Sequence, residues 1–214
     1  MNINQLEQIA NAMVKEGKGI LAADESNPTC TKRFESIGVE SNALSRNMYR
    51  DMLFTTQGME EFISGVILFD ETLHQSTLED NTPYPKYLND KGVIPGIKVD
   101  CGAKDFALHA NEKITEGLDG LRDRLEEYFN LGARFAKWRA VITIADGIPS
   151  SSCIHANAHA LARYAALCQE QGLVPIVEPE VLMNGDHTIQ TCNEVSKRVF
   201  SHVFEELDNQ DVYL

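Results

Sequence analysis

Two pairs of charged side chains, each pair spaced two residues apart, carry the strongest chemical signal in this sequence. Lys137 and Arg139 lie in one apolar, strand-like run, and a second such run contains Glu178 and Glu180. Side chains alternate between the two faces of a strand, so each pair shares one face. Two cations on a buried face are costly unless anions meet them. The opposite signs therefore predict one shared polar site, while a solvated edge strand is the alternative for the first run taken alone.

Such a site is suited to acid–base chemistry, because carboxylates beside cations have pKa values that are pushed apart. Arg139, together with Lys98, can hold an anion such as a phosphate or a carboxylate. A lysine crowded by another cation loses its proton more easily and can attack a carbonyl carbon. His155 and His159 have helical spacing but lack the acid of an H-E-x-x-H pattern, so we predict no metal site.

The elements that must position these residues are five apolar runs of strand length, which alternate with segments of helical periodicity. The runs cover residues 19–26, 65–73, 93–100, 134–142 and 173–181. Nearly continuous apolar strands alternating with helices are typical of an α/β fold with a parallel sheet covered on both faces. The sequence has no G-x-G-x-x-G and no P-loop lysine motif, which favours a barrel over a doubly wound nucleotide-binding sheet.

Charged residues occur late in these runs, and there are eight of them: Asp24, Glu71, Lys98, Asp100, Lys137, Arg139, Glu178 and Glu180. In an α/β barrel the functional residues lie at the carboxyl ends of the strands. We therefore expect these side chains to belong to one polar site.

The remaining elements follow from periodicity and capping signals. We predict helices over residues 3–15, from a cap at Ser41 or Asn42 to 54, and over 118–131, 150–171 and 188–207. We expect Arg46 and Arg50 to be exposed on the second of them. We predict a turn over residues 29–33, a loop around Pro83 and Pro85, an irregular segment over 101–115 and the start of a sixth strand at 211–214.

Size, charge and cysteine content limit the class of protein. A chain of 214 residues can bury one sizeable core, so we predict a single domain over 1–214. The net charge of −13 argues against nucleic-acid binding. We expect neither a signal peptide, which nothing in the sequence resembles, nor a membrane span, because no run approaches about 18 apolar residues. The five widely spaced cysteines predict reduced thiols in a cytoplasmic protein.

Several segments closely resemble the class I (Schiff-base) fructose-1,6-bisphosphate aldolases. They read GKGILAADES at 17–26, FDETL at 69–73, GIKVD at 96–100, GLDGL at 117–121, FAKWR at 135–139 and VPIVEPE at 174–180. The similarity runs in order over essentially the whole chain. It implies a TIM (β/α)8 barrel, of which the chain would supply about the first five strand–helix units plus the start of the sixth, as one incomplete barrel domain.

The resemblance also implies roles. Asp24 matches the acid that handles the proton of the C4 hydroxyl during C–C cleavage, Glu178 matches the general acid/base, and Lys137 matches the lysine beside the Schiff-base lysine. The remaining matches are substrate-binding residues: Lys32, Arg33, Arg46, Lys98, Arg139 and Glu180. The implied substrate is a phosphosugar, cleaved to dihydroxyacetone phosphate and glyceraldehyde 3-phosphate without metal or other cofactor. The implied assembly is a homo-oligomer, a tetramer when intact.

One departure separates two hypotheses. The family places its imine-forming lysine in a Leu-Leu-Lys-Pro-Asn-Met segment on the sixth strand, and no lysine of this sequence matches that segment. The first hypothesis is the N-terminal portion of a glycolytic aldolase, which we expect to be inactive by itself. The second is a non-catalytic, aldolase-derived piece that serves binding or assembly. A metal-dependent aldolase or another phosphosugar barrel enzyme is a third, less favoured reading.

Overall fold

The computed structural model describes residues 2–214, in which helices and strands alternate along most of the chain. In chain order they are α1 (Ile3–Met13), β1 (Gly19–Ala23), α2 (Asn27–Glu35), α3 (Ala43–Phe54), α4 (Met59–Phe62), β2 (Ile63–Leu68), α5 (Asp70–Leu73), α6 (Tyr84–Asp90), β3 (Ile94–Lys98), β4 (Ala103–Asp105), β5 (Lys113–Thr115), α7 (Leu121–Leu131), β6 (Phe135–Ile142), α8 (Ser151–Glu170), β7 (Val174–Val181) and α9 (Ile189–Asn209). Within this described part of the chain, no helix is long and apolar enough to cross a membrane.

Five of the strands form one sheet in the order β1-β2-β3-β6-β7, and β4 and β5 form a separate antiparallel pair. The β1–β2 and β2–β3 pairs are parallel, with Ala23 opposite Leu68 and Leu68 opposite Ile97. The predicted α/β class is confirmed. Because β6 lies between β3 and β7, the solvated edge strand considered for residues 134–142 is wrong.

The described chain divides into two compact units. The first unit combines Asn2–Lys98 with Glu126–Ala136, and the second combines Val99–Leu125 with Lys137–Leu214. The single domain over 1–214 stays a prediction.

In the first unit, a glycine makes room for an aromatic ring at the start of β6. A methyl group added at Gly96 would clash with the Phe135 ring, whereas one added at Gly65 would lie 3.1 Å from Phe135 Cε1. Carbon atoms in van der Waals contact are about 3.5–4.0 Å apart. The Phe135 ring, which is fully buried, therefore fits over β3 only because position 96 has no side chain.

The core of the second unit packs β6 against α8. Trp138 and Tyr164 are both fully buried, and their ring centroids lie 5.5 Å apart. Ser150 caps α8 by accepting a hydrogen bond from Cys153 N at 3.1 Å, and Thr188 caps α9 in the same way. The predicted starts of these two helices are confirmed.

Three predictions for the connecting segments are wrong. The predicted turn at 29–33 lies inside α2, and the predicted loop around Pro83 and Pro85 contains the start of α6. Proline suits the first turn of a helix, because the amide hydrogen it lacks would have no partner there. The segment predicted to be irregular over 101–115 contains the β4–β5 hairpin.

The expected sixth strand also does not form within the described chain. Residues 211–214 have a turn and no regular structure. The main chain of Tyr213 is instead paired with the side-chain amide of Gln169, with Tyr213 N donating to Oε1 at 3.0 Å and Nε2 donating to Tyr213 O at 2.7 Å.

Candidate active site

In the second unit, β6 and β7 bring the two oppositely charged pairs into contact. Lys137 Nζ lies 3.3 Å from Glu178 Oε2. The Lys137 side chain is only 12% exposed, whereas that of Glu178 is 35% exposed. An ammonium this deeply buried has little water around it, so the carboxylate is an important source of stabilising charge. A lysine and a glutamate at this separation can also exchange protons with a bound molecule.

Arg139 provides the second cation on the same face of β6. Its Nε donates a short, charge-assisted hydrogen bond to Glu180 and lies 4.0 Å from Glu178 Oε1. The hydrogen bond to Glu180 and the charge of that carboxylate raise the pKa of Arg139, which keeps the guanidinium charged. Glu178 therefore has a cation near each of its carboxylate oxygens.

In the first unit, Asp24 and Lys98 lie at the carboxyl ends of two strands. Asp24 directly follows β1, and Lys98 is the last residue of β3. The register of β1, β2 and β3 places these two ends at the same edge of the parallel strands. Both residues are half-buried.

Arg46 on α3 holds the carboxylate of Glu71, which lies in the short helix after β2. Arg46 Nε donates to Glu71 Oε2 at 2.7 Å and Nη2 donates to Oε1 at 2.6 Å, in a two-point contact that is mostly buried. The hydrogen bonds from Arg46 lower the pKa of Glu71. The remaining guanidinium nitrogen, Nη1, donates to Ser41 Oγ at 3.3 Å.

The two basic residues of α2 are more accessible. Lys32 is exposed, and the Arg33 side chain is 56% exposed. Arg33 Nη1 makes a short contact with Glu25 and donates to Tyr49 Oη at 3.3 Å. The Arg33 guanidinium is therefore held by Glu25 and Tyr49, while more than half of the side chain faces solvent.

The sequence analysis missed a buried arginine and its partner. Arg50 is 2% exposed and the Arg46 side chain 14% exposed, so the prediction that both are exposed is wrong. Its Nη2 lies 3.0 Å from Glu25 Oε2 and also donates to the main-chain oxygen of Glu25 at 3.0 Å. Two signals were available: Arg50 lies one helical turn after Arg46, and Glu25 directly follows Asp24.

The histidines of α8 face a carboxylate. His159 Nδ1 lies 2.8 Å from Glu206 Oε2, and His155 Nδ1 lies 3.7 Å from Glu206 Oε1. Among residues 2–214, no group of three or more histidine, cysteine, aspartate or glutamate side chains is arranged to hold a metal ion.

Comparison with known proteins identifies the family. The model of the glycolytic class I fructose-bisphosphate aldolases matches residues 5–214. The chain belongs to this aldolase family. The resemblance found in the sequence is therefore confirmed.

The similar aldolases come from bacteria, plants and parasites. The chain is 59% identical over 214 residues to a probable fructose-bisphosphate aldolase class 1 of Xanthomonas campestris, covering all of this chain and 64% of that relative. It is 52% identical over 210 residues to the cytosolic fructose-bisphosphate aldolase 6 of Arabidopsis thaliana, covering 97% and 58%. The chain thus spans less than two thirds of the length of these aldolases.

A solved aldolase structure has the same fold. The fructose-bisphosphate aldolase of Plasmodium falciparum, crystallised with TRAP and a small-molecule inhibitor, matches with a TM-score of 0.94 and 48% identity. The match covers 98% of this chain and 60% of that one. The predicted assignment to the barrel fold of the aldolases, represented by five strands, is confirmed.

Proposed function

We propose that this chain serves the reversible cleavage of fructose 1,6-bisphosphate to dihydroxyacetone phosphate and glyceraldehyde 3-phosphate. Family membership supports the reaction, and the Lys137–Glu178 pair is the observation that carries it. We further propose that the protein acts in the cytoplasm as a homo-oligomer, a tetramer when intact, and needs no metal or other cofactor.

In the proposed chemistry, Glu178 transfers protons and Lys137 acts through its positive charge. In a Schiff-base aldolase, a lysine amine adds to the C2 carbonyl of the substrate, and the resulting carbinolamine loses water to give an imine. Glu178 donates the proton with which the hydroxyl leaves as water, and takes a proton back when the imine is hydrolysed. The positive charge of Lys137 favours the neutral, nucleophilic form of a neighbouring lysine amine.

Bond cleavage needs a second base. The protonated imine accepts the electron pair of the C3–C4 bond when that bond breaks, and the C4 hydroxyl becomes the aldehyde of the leaving glyceraldehyde 3-phosphate. Asp24 is the proposed acceptor of the hydroxyl proton. The enamine that remains is protonated at carbon and hydrolysed, which releases dihydroxyacetone phosphate and restores the amine.

The cations have the proposed task of binding the anionic substrate: Lys32, Arg33, Arg46, Lys98 and Arg139, with Glu180 as a further polar contact. Two of these cations differ in exposure and in hydrogen bonding, which supports different roles for them. Arg46 is committed to Glu71 in a mostly buried two-point contact, whereas Arg33 is largely exposed. A phosphate can therefore reach Arg33 at a lower cost in broken hydrogen bonds than Arg46.

A chimeric enzyme tests the proposal. Residues 1–214 would be fused to the part of the Xanthomonas campestris aldolase that follows its matched region, and cleavage of fructose 1,6-bisphosphate would be followed in a coupled assay. We expect an active enzyme, in which Lys137→Met or Glu178→Gln lowers kcat by about 10²-fold or more. The matched control is Lys86→Gln, which removes an exposed lysine of α6 and should leave kcat unchanged.

The same assay distinguishes the proposed function from the competing hypothesis. A non-catalytic binding or assembly piece predicts a folded chimera without activity, and that outcome would overturn the proposal. The 214-residue chain alone serves as a further control, because none of its lysines stands in the family's imine-forming segment. We expect borohydride treatment with substrate to trap an adduct in the chimera and not in the chain alone.

A further inference from the structure

At Arg139 of β6, the main-chain N–H and the main-chain oxygen are both hydrogen-bonded to side chains. Two residues earlier in β6, Lys137 O accepts a main-chain hydrogen bond from Val99 N at 3.1 Å, as in a parallel ladder. Two residues later, Arg139 N donates to Asp100 Oδ2 at 3.4 Å, and Arg139 O accepts a hydrogen bond from Thr115 Oγ1 at 2.8 Å. Thr115 is itself buried, so its hydroxyl satisfies this carbonyl and fixes this point of β6.

The main-chain oxygen of Val99 is also engaged by a side chain. In a parallel ladder this oxygen would accept the next amide hydrogen of β6. It accepts instead from Arg124 Nη1 at 2.9 Å. The main-chain ladder at this edge of β6 therefore gives way to side-chain contacts where the strand reaches Arg139.

Thr115 is in turn held by α8. Thr115 N donates to Asn157 Oδ1 at 3.2 Å, and Asn157 Nδ2 donates to the main-chain oxygen of Lys113 at 2.9 Å. The Asn157 amide therefore hydrogen-bonds β5 much as a neighbouring strand would. Thr115 and Asn157 are 3% and 2% exposed, so water does not compete for these bonds. A continuous hydrogen-bonded path runs from α8 through β5 to Arg139.

We propose that Thr115 and Asn157 are positioning residues that orient Arg139 toward Glu180 and Glu178. The direction of a strand side chain follows the orientation of its own peptide groups, and the Thr115 hydroxyl fixes the peptide that follows the Arg139 Cα. The catalytic consequence of this positioning rests on the function proposed above. The positioning itself rests only on contacts within the second unit.

Replacing the threonine hydroxyl tests the path directly. Thr115→Val keeps the branched shape of the side chain but leaves Arg139 O without its partner. The peptide should then shift, and the hydrogen bond from Arg139 Nε to Glu180 should open more often. Thr115→Ser restores the hydroxyl and should restore the bond.

The measurement is the solvent exchange rate of the Arg139 Nε hydrogen, followed by NMR in the 214-residue chain with labelled arginine. We expect Thr115→Val to increase this rate about tenfold, the change that corresponds to about 1.4 kcal/mol, within the range measured for lost hydrogen bonds. Thr115→Ser should stay close to the unsubstituted chain. If Thr115→Val does not fold, the smaller Thr115→Ala takes its place.

Thr188→Ala is the matched control, because it weakens α9 by removing its N-cap, and the hydroxyl that it removes pairs with Thr191 of the same helix. Equal exchange rates for Thr115→Val and Thr188→Ala would overturn the proposal, since general destabilisation would then explain the effect.

The chimera adds a functional readout. We expect Thr115→Val to lower kcat/KM about tenfold, mainly through a higher KM for the bisphosphate, and Thr115→Ser to rescue it. A chimera that is inactive with all its natural residues would contradict the proposed function, while the exchange rates would still decide whether Thr115 positions Arg139.

Discussion

The coupling energy of the Lys137–Glu178 ion pair tests how much burial strengthens a contact between two charges in the second unit. At an effective dielectric constant of about 20, two unit charges 3.3 Å apart attract by about 5 kcal/mol. Screening of the 35% exposed glutamate and the desolvation of the lysine oppose this attraction. We expect a net coupling of about 1–2 kcal/mol between the two side chains.

A double-mutant cycle measures this coupling. Unfolding free energies would be obtained from urea titrations of the unsubstituted chain, Lys137→Met, Glu178→Gln and the double variant. The matched control is the same cycle with Met and Asn at Lys86 and Asp90, which are 64% and 55% exposed on α6 although their charged atoms lie 2.5 Å apart. This exposed pair should couple by only about 0.3–0.5 kcal/mol.

The comparison separates burial from distance. If distance governed the energy, the Lys86–Asp90 pair would couple more strongly, because it is shorter. A Lys137–Glu178 coupling equal to or below that of the control pair would refute the reasoning that burial makes this contact strong.

Two further predictions concern the first unit. Gly96→Ala should lower the unfolding free energy by about 1–3 kcal/mol, because the added methyl group meets the Phe135 ring, whereas Gly19→Ala, which meets nothing within 4 Å, should have little effect in the same urea titration. Glu71 should stabilise the chain at neutral pH and lose this contribution in acid. Its pKa is lowered below the ordinary 4.5 by Arg46, so the stabilisation is present above that value and disappears as the pH falls through the lowered pKa. The difference in unfolding free energy between the natural chain and Glu71→Gln should therefore shrink on acidification, and a constant difference would contradict the assignment.

The strands and their charged face were predictable from the sequence. Each strand is an apolar run bounded by turn residues, and the two-residue period of a strand fixes which side chains share a face. That period alone placed Lys137 with Arg139 and Glu178 with Glu180. The contact between the two pairs then followed from the cost of burying charge without a partner.

Helical charges were harder to predict, because an arginine in an amphipathic helix usually lies in solvent. Arg50 is buried because Glu25, which is distant in sequence, supplies a carboxylate for an ion pair and a main-chain oxygen that accepts a hydrogen bond. Nothing in the spacing of α3 specifies that partner. The segments with prolines were misread for a different reason, since proline ends a helix in its interior but suits its first turn, and sequence alone did not place the helix start.

The Thr115 hydroxyl shows where prediction from the sequence stops. The residue lies in a three-residue strand, and its partner strand β4 is also three residues long and is exposed, so neither carries an apolar pattern that predicts a strand. Its importance arises only when Asn157 of α8 and Arg139 of β6 both bond to it. Single polar atoms that satisfy a buried main-chain group leave no periodic signal, because one hydroxyl at one position is sufficient. The charged face of β6 could therefore be predicted from the sequence, whereas the side chains that hold its main chain in place could not.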